Sequence, residues 1–192
     1  MRPFSLPRRL RRFATETDGY ITVEAMIVLP ALLMIFAAAW VYFDVFHQQS
    51  INQKANYAIG DMVSRETDPI DDTYVDNAFR LLGLLTRTDV NLDEAPEAYP
   101  ADLRITVVSH DADNDSYEVM WSAARGDFPE LTTADLTGYR TRLPEMQDNG
   151  QTVLVETSDA YKPLFRVGLD AFEIKTYSFT HPRYAPQVLW AD

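Results

Sequence analysis

Glu24 is the residue of this chain most in need of a chemical explanation. It is the one acid in the otherwise apolar stretch GYITVEAMIVLPALLMIFAAAWVYF, residues 19 to 43. A carboxylate held in hydrocarbon at the edge of a membrane helix costs on the order of 2–3 kcal/mol or more. Such a group needs headgroup water or a positive partner. A second acidic set, Asp111, Asp113 and Asp115, has the D-x-D-x-D opening of a calcium loop. An EF-hand loop also needs glycine at its sixth place and a bidentate glutamate at its twelfth, and Ser116 and Ser122 stand there instead. A solvated hairpin turn is the expected structure, with weak calcium binding as the alternative. Ser109, His110 and Asp111 have the residue types of a hydrolytic triad, but neighbours on a strand face opposite ways and cannot form a relay. His47, His110 and His181 have no metal-ligand spacing, and the chain contains no G-x-S-x-G, P-loop or dinucleotide fingerprint. The expectation is a protein that is not an enzyme and needs no cofactor.

The element that positions Glu24 is the apolar stretch itself. From Ala25 to Phe43 it carries no charge. At helical rise these residues span about 28 Å, most of a bilayer core of about 30 Å. Charge is split around it. Of the net −12, residues 1–19 contribute five arginines against Glu16 and Asp18, or +3, leaving −15 for the remainder. By the positive-inside rule the basic end stays cytoplasmic and the acidic body lies outside. An acidic body also repels nucleic acid, so none is expected as a partner. Cysteine is absent, so no disulfide or thiolate site holds the fold together.

Residues 1–43 admit four readings. A secretory signal peptide would be cut after Ala39, in the Ala37-Ala38-Ala39 box, but the apolar run continues through Trp40, Val41, Tyr42 and Phe43. A simple signal anchor would tether an unrelated domain. A buried core helix conflicts with the uninterrupted apolar length. The fourth takes Gly19 as the end of a leader, with the cut at the Gly19–Tyr20 bond. Glu24 then lies four residues from the new amine, about one helical turn. This pattern resembles the prepilin signal of type IV pilins and pseudopilins: basic leader, glycine, cut, then glutamate ahead of a hydrophobic helix. The resemblance implies that Gly19 and Tyr20 form the processing site. It also implies that Glu24 pairs with the amine of a neighbouring subunit in an assembly. The alternative for Glu24 is a carboxylate that snorkels into the headgroup layer. Pro30 lies inside the run, where a kink or loosened turn is expected.

Beyond Phe43 the pattern becomes amphipathic. Phe43, Phe46, Ile51, Ala55, Ala58, Ile59, Met62 and Val63 recur at three- and four-residue steps, with Gln48, Gln49, Asn52, Gln53, Lys54 and Asp61 between them. One helix from about Tyr20 to Ser64, roughly 65 Å long, is expected, with Gly60 as its weak point and RETDP ending it. Asp68-Pro69 reads as the N-cap and first residue of a second helix, with Val75, Ala78, Phe79, Leu82 and Leu85 as its apolar face. Residues 87–101 read as a linker. Leu103, Ile105 and Val107 then alternate with polar residues. So do Tyr117, Val119, Trp121 and Ala123, forming a hairpin around HDADND. Residues 125–150 read as an irregular loop, Val153, Val155 and Thr157 as a third strand and Phe172 to Thr180 as a fourth, before a proline-broken tail.

The expected fold class is α+β: a long and a short helix on an antiparallel sheet of about four strands. The expected divisions are a cytoplasmic leader (1–19), a transmembrane helix (20–43) and a periplasmic domain (44–192). The domain has a helical extension at 44–64 and a sheet region at 102–181. The order of G-Y-I-T-V-E-A-x-x-x-L-P, a helix, late strands, Tyr161-Lys162-Pro163-Leu164-Phe165 and Pro182-Arg183 is similar to the TadE-like pseudopilins of tight-adherence (Flp) pilus systems. That resemblance implies a single-pass protein of the bacterial inner membrane and a minor component of an adhesive pilus. Its implied partners are a prepilin peptidase, other pilins and pseudopilins, the assembly machinery and membrane lipid. Ala25 stands where members often carry tyrosine, which leaves the subtype (TadE, TadF or TadG-like) open. The other readings kept are an uncleaved bitopic protein presenting a binding domain and, as the third, a secreted hydrolase. The segment Tyr161–Phe165 is expected to pack the end of the sheet.

Overall fold

The apolar run and the amphipathic stretch after it form one helix, α1, Asp18–Ser64, 47 residues long. The computed structural model describes residues 18–86, 101–165 and 167–191, with side chains from residue 23 onward. The arginine-rich leader through residue 17 and residues 87–100 of the expected linker lie outside the described residues. α1 is helical straight through Pro30 and Gly60. It ends where expected, on bonds from the Arg65 and Glu66 N–H groups to the carbonyls of Met62 and Val63, which tighten the last turn.

The second helix, α2, runs Asp72–Thr86, starting later than the sequence predicts. Its cap is Asp71, whose carboxylate accepts from the Tyr74 N–H at 2.8 Å, and not Asp68. The reason is Ile70. Its N–H donates to the Leu189 carbonyl and its own carbonyl accepts from the Ala191 N–H, each at 2.8 Å, in a bridge beside Trp190. Extended pairing at residue 70 pulls Pro69 and Ile70 out of any helix. Val75, Ala78, Phe79 and Leu82 are buried as their spacing predicts, but Leu85 is partly exposed. Thr86 is buried in its place, with its hydroxyl donating to the Leu82 carbonyl at 3.0 Å.

The four strands are β1 (Ala101–Asp111), β2 (Ser116–Arg125), β3 (Gln151–Tyr161) and β4 (Phe172–Thr180). They form one sheet in the order β2-β1-β3-β4, with every neighbouring pair antiparallel. The α+β class read from the sequence is thus the architecture found. One strand departs from its simple alternation. Val107 pairs with Trp121 but Val108 pairs with Val119, so Met120 is an extra residue in β2. Because side chains alternate with period two, the bulge moves Tyr117 and Val119 to the opposite face from Trp121 and Ala123. The sequence pattern put all four on one face.

Both helices cover one face of the sheet. Ala55, Ile59 and Val63 of α1 meet Val75, Phe79 and Leu82 of α2 over Leu103, Ile105, Val107, Val153 and Val155, all buried. The tail is irregular, as its prolines predict, yet it closes this core: Trp121 Nε1 donates to the Val188 carbonyl at 2.8 Å, and the Trp121 and Trp190 rings lie 5.2 Å apart. The other face is covered by residues 126–150. These are mostly irregular, as expected, with a 3₁₀ turn at Thr133–Gly138. Leu136 and Leu143 pack on Val108. Arg104 pins this cover, pairing with Glu156 at 2.6 Å and donating to the Pro129 carbonyl and the Tyr139 hydroxyl. An arginine so enclosed is tolerated because each of its three side-chain nitrogens finds an acceptor.

Candidate functional site

Two features of α1 carry functional weight, and they lie end to end. The first is the apolar half. Every residue from Val23 to Phe36 is exposed in the single chain, including Met26, Leu33 and Phe36. Exposure on all sides of a helix is the pattern of a helix made for an apolar surround, not for one buried seam. This helix is long and apolar enough to cross a membrane. Gly19, Tyr20 and Glu24 all lie within it, and Glu24 is exposed. No ion pair among the described residues includes Glu24. Pro30 sits inside the helix without ending it.

The second feature is a polar seam that the apolar periodicity does not mark. Asp44, Gln48, Asn52, Asn56, Gly60 and Ser64 recur at steps of four. Asp44 Oδ2 accepts from the Tyr161 hydroxyl at 2.8 Å. Gln48 and Asn52 each donate to Asp159 Oδ2 at 3.1 Å. Asn56 Nδ2 reaches the Val155 carbonyl at 3.1 Å and Thr157 Oγ1 at 3.3 Å. At Gly60 an added Cβ would lie 3.0 Å from Thr180 Oγ1 and 3.3 Å from Ser178 Oγ. The glycine thus marks a close approach of helix to sheet, not a weak point. The Ser64 carbonyl accepts from the Arg183 N–H at 2.8 Å, and Arg183 also pairs with Asp61 at 3.0 Å. Rows of i±4 residues incline to the helix axis, so they fit strands crossing obliquely. Phe43 and Phe46, counted in the amphipathic face, point outward instead. The four-residue step was visible in the sequence. Polar side chains at those positions masked it as a buried seam.

Burial, the hydrogen bond to Asp44 and that carboxylate's charge together push the Tyr161 hydroxyl up to about 12. It therefore stays a donor at any physiological pH. Tyr161 packs the sheet's end as expected, its ring 5.4 Å from that of Phe172. Leu164 and Phe165 do not share that burial and are exposed at 73% and 44%.

The acidic turn does not gather its carboxylates. Asp111 accepts from the N–H groups of Asp113 and Asn114 and from Asn114 Nδ2 at 2.7 Å. The Asn114 side chain first, and then these backbone donors, hold the Asp111 carboxyl below the usual carboxylate range. Asp115 pairs with Arg140 and lies 3.7 Å from His110 Nε2. Among the described residues no three His, Cys, Asp or Glu side chains converge as metal ligands. His110 stacks on Tyr117, 4.9 Å between ring centres, while His181 Nδ1 lies 3.2 Å from the Gln151 carbonyl oxygen.

Comparison with profiles of known families, with curated proteins and with solved structures finds no match to this chain.

Proposed function

We propose that this chain is a TadE-like pseudopilin, a non-enzymatic minor component in building an adhesive tight-adherence pilus. In this reading its leader is cytoplasmic and is removed at Gly19–Tyr20 by a prepilin peptidase. Its apolar helix is stored in the bacterial inner membrane, and its acidic domain faces the periplasm to meet other pilins and the assembly machinery. The observation that supports the reading is one of register. A single helix, Asp18–Ser64, carries Glu24 one turn beyond Tyr20 and presents fourteen exposed residues, 23–36, before it enters its own domain. A carboxylate on so apolar a surface needs a partner once helices bundle. Breaking a buried pair by removing one member typically costs about 3–5 kcal/mol. Glu24 then acts as a pin for subunit register.

In cells that make the peptidase, N-terminal sequencing should find Tyr20 first. A chain retaining residues 1–19 there would be an uncleaved bitopic anchor, and a chain beginning after Ala39 a secreted protein. Glu24→Gln is expected to be processed normally yet to stop pilus formation, as seen by electron microscopy. Normal pili in that variant would remove the pairing role.

A further inference from the structure

The polar seam measures the depth of the sheet relative to the apolar run. Asp44, which follows Phe43, meets Tyr161; Asn56 meets Thr157 and Val155. Twelve helical residues rise about 18 Å, and four to six strand residues rise roughly 13–20 Å. The two rises match, so β3 runs alongside α1 in the opposite direction. Its last residue, Tyr161, pairs with Phe172, the first of β4. The connection between β3 and β4 therefore closes the sheet at the level where α1 leaves its uncharged run. Trp40 and Tyr42 stand exposed on α1 just below that level, at 63% and 51%. Such rings collect at membrane–water boundaries.

At this end of the sheet Leu164, Phe165 and Phe172 are exposed at 73%, 44% and 38%, and Lys162 is exposed beside them. An apolar pair behind a lysine suits a headgroup boundary, where the rings and the leucine enter the acyl edge and the ammonium reaches phosphate. We propose that Lys162, Leu164, Phe165 and Phe172 form a second membrane contact, docked on the leaflet from which α1 emerges. The occupant is lipid because the patch adjoins Tyr161 and Phe172, whose end of the sheet meets α1 at Asp44, just past Trp40 and Tyr42, and because it carries a cation suited to anionic headgroups. The proposal rests on α1 spanning the bilayer. With both contacts made, the domain is held at a fixed rotation about α1, and its removal from the membrane must release the loop as well as the helix.

The chain has no cysteine, so single labels can be placed cleanly. Leu164→Cys, Met34→Cys and Tyr184→Cys, each carrying a nitroxide, are reconstituted as full chains in phosphatidylethanolamine–phosphatidylglycerol vesicles. Collision with oxygen and with a water-soluble nickel chelate is then measured. Met34 is in the apolar run. Tyr184 adjoins Arg183, which bonds to Ser64 at the far end of α1. The expected result is an oxygen-to-nickel ratio at 164 well above that at 184 and below that at 34. A ratio at 164 equal to that at 184, with 34 deep in lipid, overturns the loop contact and leaves the span standing. A label at 164 shielded from both agents also overturns it, and points to a second copy of the chain as the cover. A label at 34 as open to nickel as that at 184 overturns the span, and the loop contact with it.

Discussion

The two halves of α1 obey opposite rules. Residues 23–36 are apolar and exposed, while the half that carries the domain buries Asn52, Asn56, Gly60 and Ser64 alongside Ala55, Ile59 and Val63. The difference lies in what covers each half. A helix surrounded by lipid or by like helices needs apolar residues all round, since no water is present to solvate a polar face. A helix lying on one sheet needs one covered stripe, and hydrogen bonds within that stripe fix its register. Apolar contacts alone would tolerate a slide along the sheet. Donors on Gln48, Asn52 and Asn56 aimed at Asp159 and the Val155 carbonyl do not. The seam is not free of cost, for the Asn52 and Asn56 Oδ1 atoms are buried without partners.

The sharpest way to break this contrast is Asn56→Asp. The shape is kept, but the donor that meets the Val155 carbonyl becomes a buried acceptor. A loss of about 3–5 kcal/mol of domain stability is expected when the carboxyl is charged. Burial raises the pKa of such a group, so the loss should be smaller at pH 5 than at pH 8. Urea unfolding of the full chain in detergent, followed by tryptophan fluorescence, measures it. Next in size is Gly60→Leu, whose side chain has no room against Thr180 and Ser178. Overpacking should remove about 1–3 kcal/mol in the same assay. The smallest effect belongs to the other half. Phe36→Ala, at a position 68% exposed, should change domain unfolding by less than about 0.5 kcal/mol. A larger shift would mean that the apolar half packs on the domain after all.

Much of this was legible beforehand because it follows from local periodicity. The end of α1 at Ser64 and the bounds of β4 at Phe172 and Thr180 match the sequence reading, since an apolar run, a change of period and a proline are all local signals. The misreadings each turn on a distant contact. The start of α2 moved because Ile70 bonds to Leu189 and Ala191, more than a hundred residues away. Tyr117 and Val119 changed face because β1 and β2 accommodate one extra residue at Met120, which no alternation within β2 reveals.

By itself, the sequence determined the long apolar helix, the position of Glu24 on it and the α+β class, because hydropathy and period are properties of neighbouring residues. Only the tertiary structure decided that Asp44, Gln48, Asn52 and Asn56 face the sheet, and that Tyr161 lies level with the end of the apolar run. A polar side chain is silent about its burial until its partner is known, and these partners are about one hundred residues further along the chain.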